Sequence, residues 1–514
     1  MNPLVFRHHV KLRHRPGDLR SASQQKIPVS IQETIEAQAT HHFLSKFVLL
    51  PRYKDVEGFL EFTVDLIPCG LQMPLFKHAF DACAFASIAC KLGGGHGLRL
   101  RALQSYTKAL KLISEALQDQ RKVHCHELLA GCFFLSLFET ISAQRMKAWQ
   151  VHIQGLKKLL LSSDMRGCPE KYRNSLRAAV QMQTIMHSLS TGTWPSSVTH
   201  QNTTDKSPSL QCQQLIMQAA KLGGEINQLL DDPETILNNA DSLKSMIKQC
   251  RSLDQDLLAW STCLPEGFGW KTVYWAEDES TNNNASGEVF PGPVDIYQDL
   301  WTCHIWNMMR CTRLVLASKI IRCTALMHAP ADYRTSREYG AIVSNCTRLI
   351  KDVIASVPYQ LGWFSQHRHL LRRPSLSGFV CGQDDTHSSI AGVFLLYPLA
   401  CVKTFDFASE SQRNWVKGRL EHIASNFGIQ YASKLAEMDI RMPSMLVARD
   451  RLMAQYSGAI SRCDSMPSEP KMCQDFTELQ IKEMLRKVVP PAYDDELAVR
   501  TWLQLYPGDT FLEK

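Results

Sequence analysis

Apolar residues in this chain recur at helical spacing over long stretches and almost nowhere at strand spacing. Leu103, Tyr106, Leu110, Ile113 and Leu117 stand 3, 4, 3 and 4 residues apart, which is one face of an α-helix. Trp149, Ile153, Leu156 and Leu160 repeat the pattern with steps of 4, 3 and 4. Leu128–Phe138 and Ala391–Val402 are apolar almost all round, as helices buried on every side are. Leu420, Ile423 and Phe427 lead into Gly428, a natural helix C-cap. The expected fold is therefore all-α, a single large helical body.

Three segments divide the chain. Residues 1–40 are polar and basic, and are expected to be largely disordered apart from a short helix near Ile31–Ala39. Residues 41–462 form the helical domain. Residues 463–514 mix acids with bulky apolar groups, as in Tyr493-Asp-Asp-Glu-Leu497, and suit either an activation segment or a docked terminal helix. Within the body, polar stretches at about 191–211, 274–293 and 373–389 read as loops, and Gly93–Gly97 as a turn between two helices.

Charge is concentrated at the start. Arg7, Lys11, Arg13, Arg15, Arg20 and Lys26 face only Asp18, so the first 26 residues hold +5 of the net +7. The body is near neutral and offers no broad nucleic-acid-binding face. Arg7, Lys11, Arg13 and Arg15 form the one candidate functional segment, for nuclear import or contact with phosphates. No apolar run reaches the roughly 20 residues of a membrane span, and no secretory leader is recognisable. The 17 cysteines are scattered, with no C-x-x-C pair, and read as reduced, buried, small hydrophobes.

Catalytic patterns fail one by one. There is no P-loop and no nucleophile elbow, and His126-Glu127 lacks the second histidine of a zincin. His124 and His126 diverge on a helix, where faces meet at i+3 and i+4. Asp231-Asp232-Pro233-Glu234, Asp384-Asp385 and Asp494-Asp495-Glu496 are the acidic clusters a magnesium-dependent helical enzyme could use. Pro233 instead marks a helix start, with the acids favouring its N-terminus. No catalytic, cofactor-binding or metal-ligating residue is assigned, and no cofactor is expected.

One ordered set of short segments runs through Tyr106-Thr-Lys-Ala-Leu110, Glu127-Leu-Leu-Ala130, Leu137-Phe-Glu139 and Trp149-Gln-Val-His152. Leu257-Leu-Ala-Trp260, Asp299-Leu-Trp301, Trp306-Asn307 and Arg310 follow. Ala355-Ser-Val-Pro-Tyr359, Gly392-Val-Phe-Leu-Leu-Tyr-Pro-Leu399 and Gly428-Ile429 complete it, over about 92–435. Taken in order, the set resembles the fungal-specific domain of zinc-binuclear-cluster transcription factors, their middle homology region. Read as packing, Trp149, Trp260, Trp301 and Trp306 are apolar anchors. Glu139 and His152 are hydrogen-bonded core contacts, and Ser356-Val-Pro358 is a helix end.

The resemblance implies a nuclear transcriptional regulator, closest to those of secondary-metabolite gene clusters. It would work through other transcription factors or coregulators, as a homo- or heterodimer, away from membranes. The family's six-cysteine zinc cluster has no counterpart here, because the first cysteine is Cys69. Direct DNA binding therefore does not carry over. Either the protein works without the cluster, or an upstream exon encodes it. The alternative is a helical enzyme or ligand-binding protein of a biosynthetic pathway, marked by a deep pocket with converging carboxylates.

Overall fold

The computed structural model describes residues 33–51, 58–91, 96–118, 125–143, 146–162, 169–192, 207–231, 240–265, 267–277, 287–370, 388–451 and 454. Helices dominate them. In chain order they are α1 (Ile35–Phe47), α2 (Phe62–Leu66), α3 (Pro74–Lys91), α4 (His96–Gln118), α5 (Cys125–Ser142), α6 (Met146–Ser162) and α7 (Glu170–Thr191). Then come α8 (Pro208–Asp231), α9 (Ala240–Thr262), α10 (Leu300–His328), α11 (Arg337–Gln360), α12 (Ser389–Thr404), α13 (Glu410–Asn426) and α14 (Tyr431–Glu437). A further helical stretch covers 444–451.

Two groups of helices share one core. In the first, α3 packs on α1, α4 and α5, and α5 packs on α6. Phe43, Phe76 and Phe80 surround Phe134 with ring centroids 5.6–5.9 Å away. Each such burial is worth about 1.5–3 kcal/mol. In the second, α10 is the hub for α8, α9, α11 and α12. It is buried on all sides over most of its length and starts at Asp299, whose carboxylate accepts from the Thr302 N–H at 2.7 Å. The groups meet through α7, α12 and α14; the Gln430 N–H, beside α14, reaches the Ile141 carbonyl of α5 at 2.9 Å.

Several expectations change. The short helix near Ile31–Ala39 is α1, which runs on to Phe47 and buries Ala39, Phe43 and Phe47. On α4 the inward face is shifted by one residue. Ala102, Ala109 and Ala116 are buried, with Tyr106 and Ile113 half-buried, while Leu103, Leu110 and Leu117 lie exposed, Leu117 at 57%. The physical reason is closeness: a row of alanines lets α3 and α4 approach where leucines would hold them apart.

Pro358 does not end α11, which continues to Gln360, and Pro398 sits inside α12. Most of the expected 274–293 loop is bracketed by an antiparallel hairpin, β1 (Trp270–Ala276) and β2 (Gly292–Tyr297). Its outer strand is mostly exposed and its inner strand buried, so a two-sided alternation never develops.

The hairpin and α10 enclose Arg310. Its guanidinium lies 5.5–5.7 Å from the rings of Trp270, Tyr297 and Trp306, and donates to the Tyr297 hydroxyl at 2.7 Å and to Asn307 Oδ1 at 3.0 Å. Asn307 in turn donates to Ser356 and Gln360 of α11. The Trp306-Asn307…Arg310 signature is thus a structural clamp joining three elements.

Candidate functional site

A cavity of about 170 Å³ lies where the two helix groups meet. That is slightly more than the roughly 150 Å³ apolar void known to admit benzene. Its walls come from the whole chain: Phe59 and Leu60 ahead of α2, Phe133 and Leu137 of α5, Trp149 of α6, Met182 and Met186 of α7, Val393, Phe394 and Tyr397 of α12, Tyr431 of α14, and Leu446. They are mostly apolar, and four methionines, Met182, Met186, Met438 and Met442, add adaptable volume. Among the described residues no aspartate or glutamate lines it.

The cavity's polar lining comprises Thr140, Gln150, Gln183 and Thr404, Ser190 and Thr191 at the close of α7, and Ser318 and Lys319 of α10; Gly192 also forms part of the wall. Gly192 has φ +66°, the left-handed C-cap conformation that glycine adopts without a side-chain clash. Its carbonyl accepts from Asn227 Nδ2 of α8 at 3.1 Å. Asn227 Oδ1 then receives Lys319 Nζ at 2.5 Å and Arg322 Nη1 at 2.7 Å. Arg322 binds Asp450 bidentately at 2.6 and 3.0 Å, with side chains 0% and 1% exposed. Arg449 bridges Asp450 at 2.9 Å and Asp231 at 3.0 Å.

Burial sets the protonation here. It would raise the Asp450 carboxyl, but the charge and hydrogen bonds of Arg322, with those of Arg449, outweigh it and hold the group below its usual value. Lys319 is only 7% exposed, and its amine is pushed down to about 7 by burial and by the Arg322 charge. Asp450 opposes that shift.

Two further polar clusters lie among α4, α5, α6 and α7. Tyr106 donates to Glu139 Oε1 at 2.6 Å and contacts His152 Nε2 at 2.9 Å. Burial pushes His152 down to about 4, so it is a neutral imidazole near pH 7 and its Nε2–H donates to the tyrosine oxygen. Glu139 and His152 are core contacts, as their positions on apolar helices suggested. Nearby, Lys157 Nζ lies 3.0 Å from His187 Nδ1, and burial lowers the lysine to about 8. Glu127, beside the sequence's nearest approach to a zincin, caps α3 instead: its Oε1 accepts from the Leu75 and Phe76 N–H groups at 2.9 and 3.4 Å.

Arg7, Lys11, Arg13 and Arg15 lie outside the described residues, as do 463–514, Asp384-Asp385 and Asp494-Asp495-Glu496. Among the described residues no group of three or more His, Cys, Asp or Glu side chains is placed to hold a metal ion. Nor is any described helix long and apolar enough to cross a membrane. Most described cysteines are buried; Cys132 is pushed up to about 12 by burial, which keeps it a thiol.

The cavity was not foreseen as such, and neither were Lys319, Arg322 and Asp450. One signal was available: Arg310, Arg313, Lys319 and Arg322 interrupt the otherwise apolar run of α10.

The all-α body surrounds a mostly apolar cavity that, among the described residues, no aspartate or glutamate lines. The sequence matches the fungal specific transcription factor domain over residues 82–437, and the chain belongs to that family. It is 23% identical over 380 residues to the protein named Transcription factor dbaG from Emericella nidulans, an alignment that covers 72% of this chain and 83% of that one. No solved structure matches the chain. The protein is a transcriptional regulator and not an enzyme.

Proposed function

We propose that this regulator controls a group of fungal secondary-metabolite biosynthetic genes from the nucleus. The carrying observation is the family match over 82–437, together with the segments that resemble regulators of such gene groups. The protein acts through contacts with other transcription factors or coregulators, as a homo- or heterodimer. Arg7, Lys11, Arg13 and Arg15 serve nuclear import.

Deletion of the gene followed by transcript profiling tests the reading. The expected result is coordinated loss of expression across one contiguous set of biosynthetic genes. Scattered changes, or none, would overturn it. For import, a fluorescent fusion with those four residues changed to alanine should leave the nucleus; unchanged nuclear signal refutes that assignment.

A further inference from the structure

We infer that the cavity between the helix groups binds a small apolar molecule carrying one anionic group, with Lys319 Nζ receiving that group.

Three observations carry this. First, the cavity is sized for a small apolar body: about 170 Å³, walled by residues such as Phe394, Tyr397 and Met186. Second, Lys319 lines it and is nearly inaccessible to solvent, yet its ammonium has a single hydrogen-bond acceptor among the described residues, Asn227 Oδ1. An ammonium offers three donors. Third, the charges around it favour an incoming anion. The groups that act on it are Arg322 and Cys323 of its own helix and Arg449 and Asp450 of the 444–451 stretch. Asp450 is the one carboxylate among them, and it is already held by both guanidiniums.

An anion delivered into the apolar space would pair with a buried cation instead of leaving it to burial alone, and such charge-assisted hydrogen bonds are the strong ones. The lowered amine fits this: without the anion Lys319 gives up its proton readily, and with it the proton stays. Ser318, the residue before Lys319 on α10, adds a hydroxyl to the cavity lining. This inference is independent of which genes the protein regulates.

The test uses the purified full chain and two probes of equal shape, 4-propylbenzoate and 4-propylbenzamide, followed by calorimetric titration at pH 6.5. The benzoate should bind about ten-fold or more tighter than the amide, the worth of one hydrogen bond to a charged group. Lys319→Met should bring the two probes together, and Ala400→Phe, which fills the cavity, should weaken both. In the unmodified protein the preference for the acid should fade between pH 6 and pH 9 as the amine loses its charge. That measurement needs no variant to fold. Equal affinity for the two probes, no binding of the benzoate, or an acid preference unaffected by both pH and Lys319→Met would each overturn the inference.

Discussion

Replacing Asp450 with alanine is the sharpest test of how the second helix group is held. The change takes a bidentate carboxylate from a guanidinium that is 0% exposed and cannot turn to water. Removing one partner of a buried ion pair typically costs about 3–5 kcal/mol, because the remaining charge has lost its compensation. Two bonds, at 2.6 and 3.0 Å, disappear together, and Arg449 loses the same acceptor. The upper half of that range is therefore expected.

Urea unfolding followed by far-UV circular dichroism measures it as a fall in midpoint at unchanged slope. The double variant Arg322→Met with Asp450→Leu should recover most of the loss, since a well-packed apolar pair replaces both charges. The pH dependence has a definite sign. The folded carboxyl titrates below its ordinary 3.8, so its contribution is complete above that value and is lost as pH falls through the lower one. The gap between wild type and Asp450→Ala should close only in strong acid. A loss below about 1 kcal/mol at pH 7 would refute the claim that this pair is a buried compensated charge.

Three other outcomes follow from the same geometry. Lys319 titrates near 7 when folded against 10.5 when free, so the unfolded chain binds more protons between those values and wild-type stability rises with pH there. The slope is at most about 1.4 kcal/mol per pH unit and should flatten in Lys319→Met, read from urea midpoints between pH 6.5 and 9. Gly192→Ala should cost about 1–3 kcal/mol by thermal melting, because a Cβ at φ +66° would also collide with Asn227 Nδ2. Tyr106→Phe removes the hydroxyl between Glu139 and His152 and should cost about 1–3 kcal/mol; a neutral effect would mean that water replaces it.

Fold class was legible because helical periodicity is local, and α5 and α12 could be read from composition alone. The inward face of α4 was not. Leucine and alanine rows run side by side there, and which of them turns inward depends on how near α3 lies, a fact of the partner rather than of the segment. Pro358 misled for a related reason: a proline removes one donor, and the tertiary packing of α11 tolerates that loss near its end. The cavity was invisible because its walls run from Phe59 to Leu446 and use ordinary core residues. The cations on α10 could have been flagged as out of place, but Asp450 lies 128 residues from Arg322 and nothing in the sequence joins them.

The clasp between Arg322 and Asp450 separates two meanings of the word domain. What the family shares, as a stretch of recognisable ancestry, stops at residue 437. What holds itself together continues past it, through Ile440 and Met445 to Asp450, and on the other side reaches back to Phe43 under Phe134. A fragment cut at the borders of ancestry would keep every signature tryptophan and yet expose α10's inner charge. Heredity and mechanical integrity have different edges in this protein, and on its C-terminal side they part between residue 437 and Asp450.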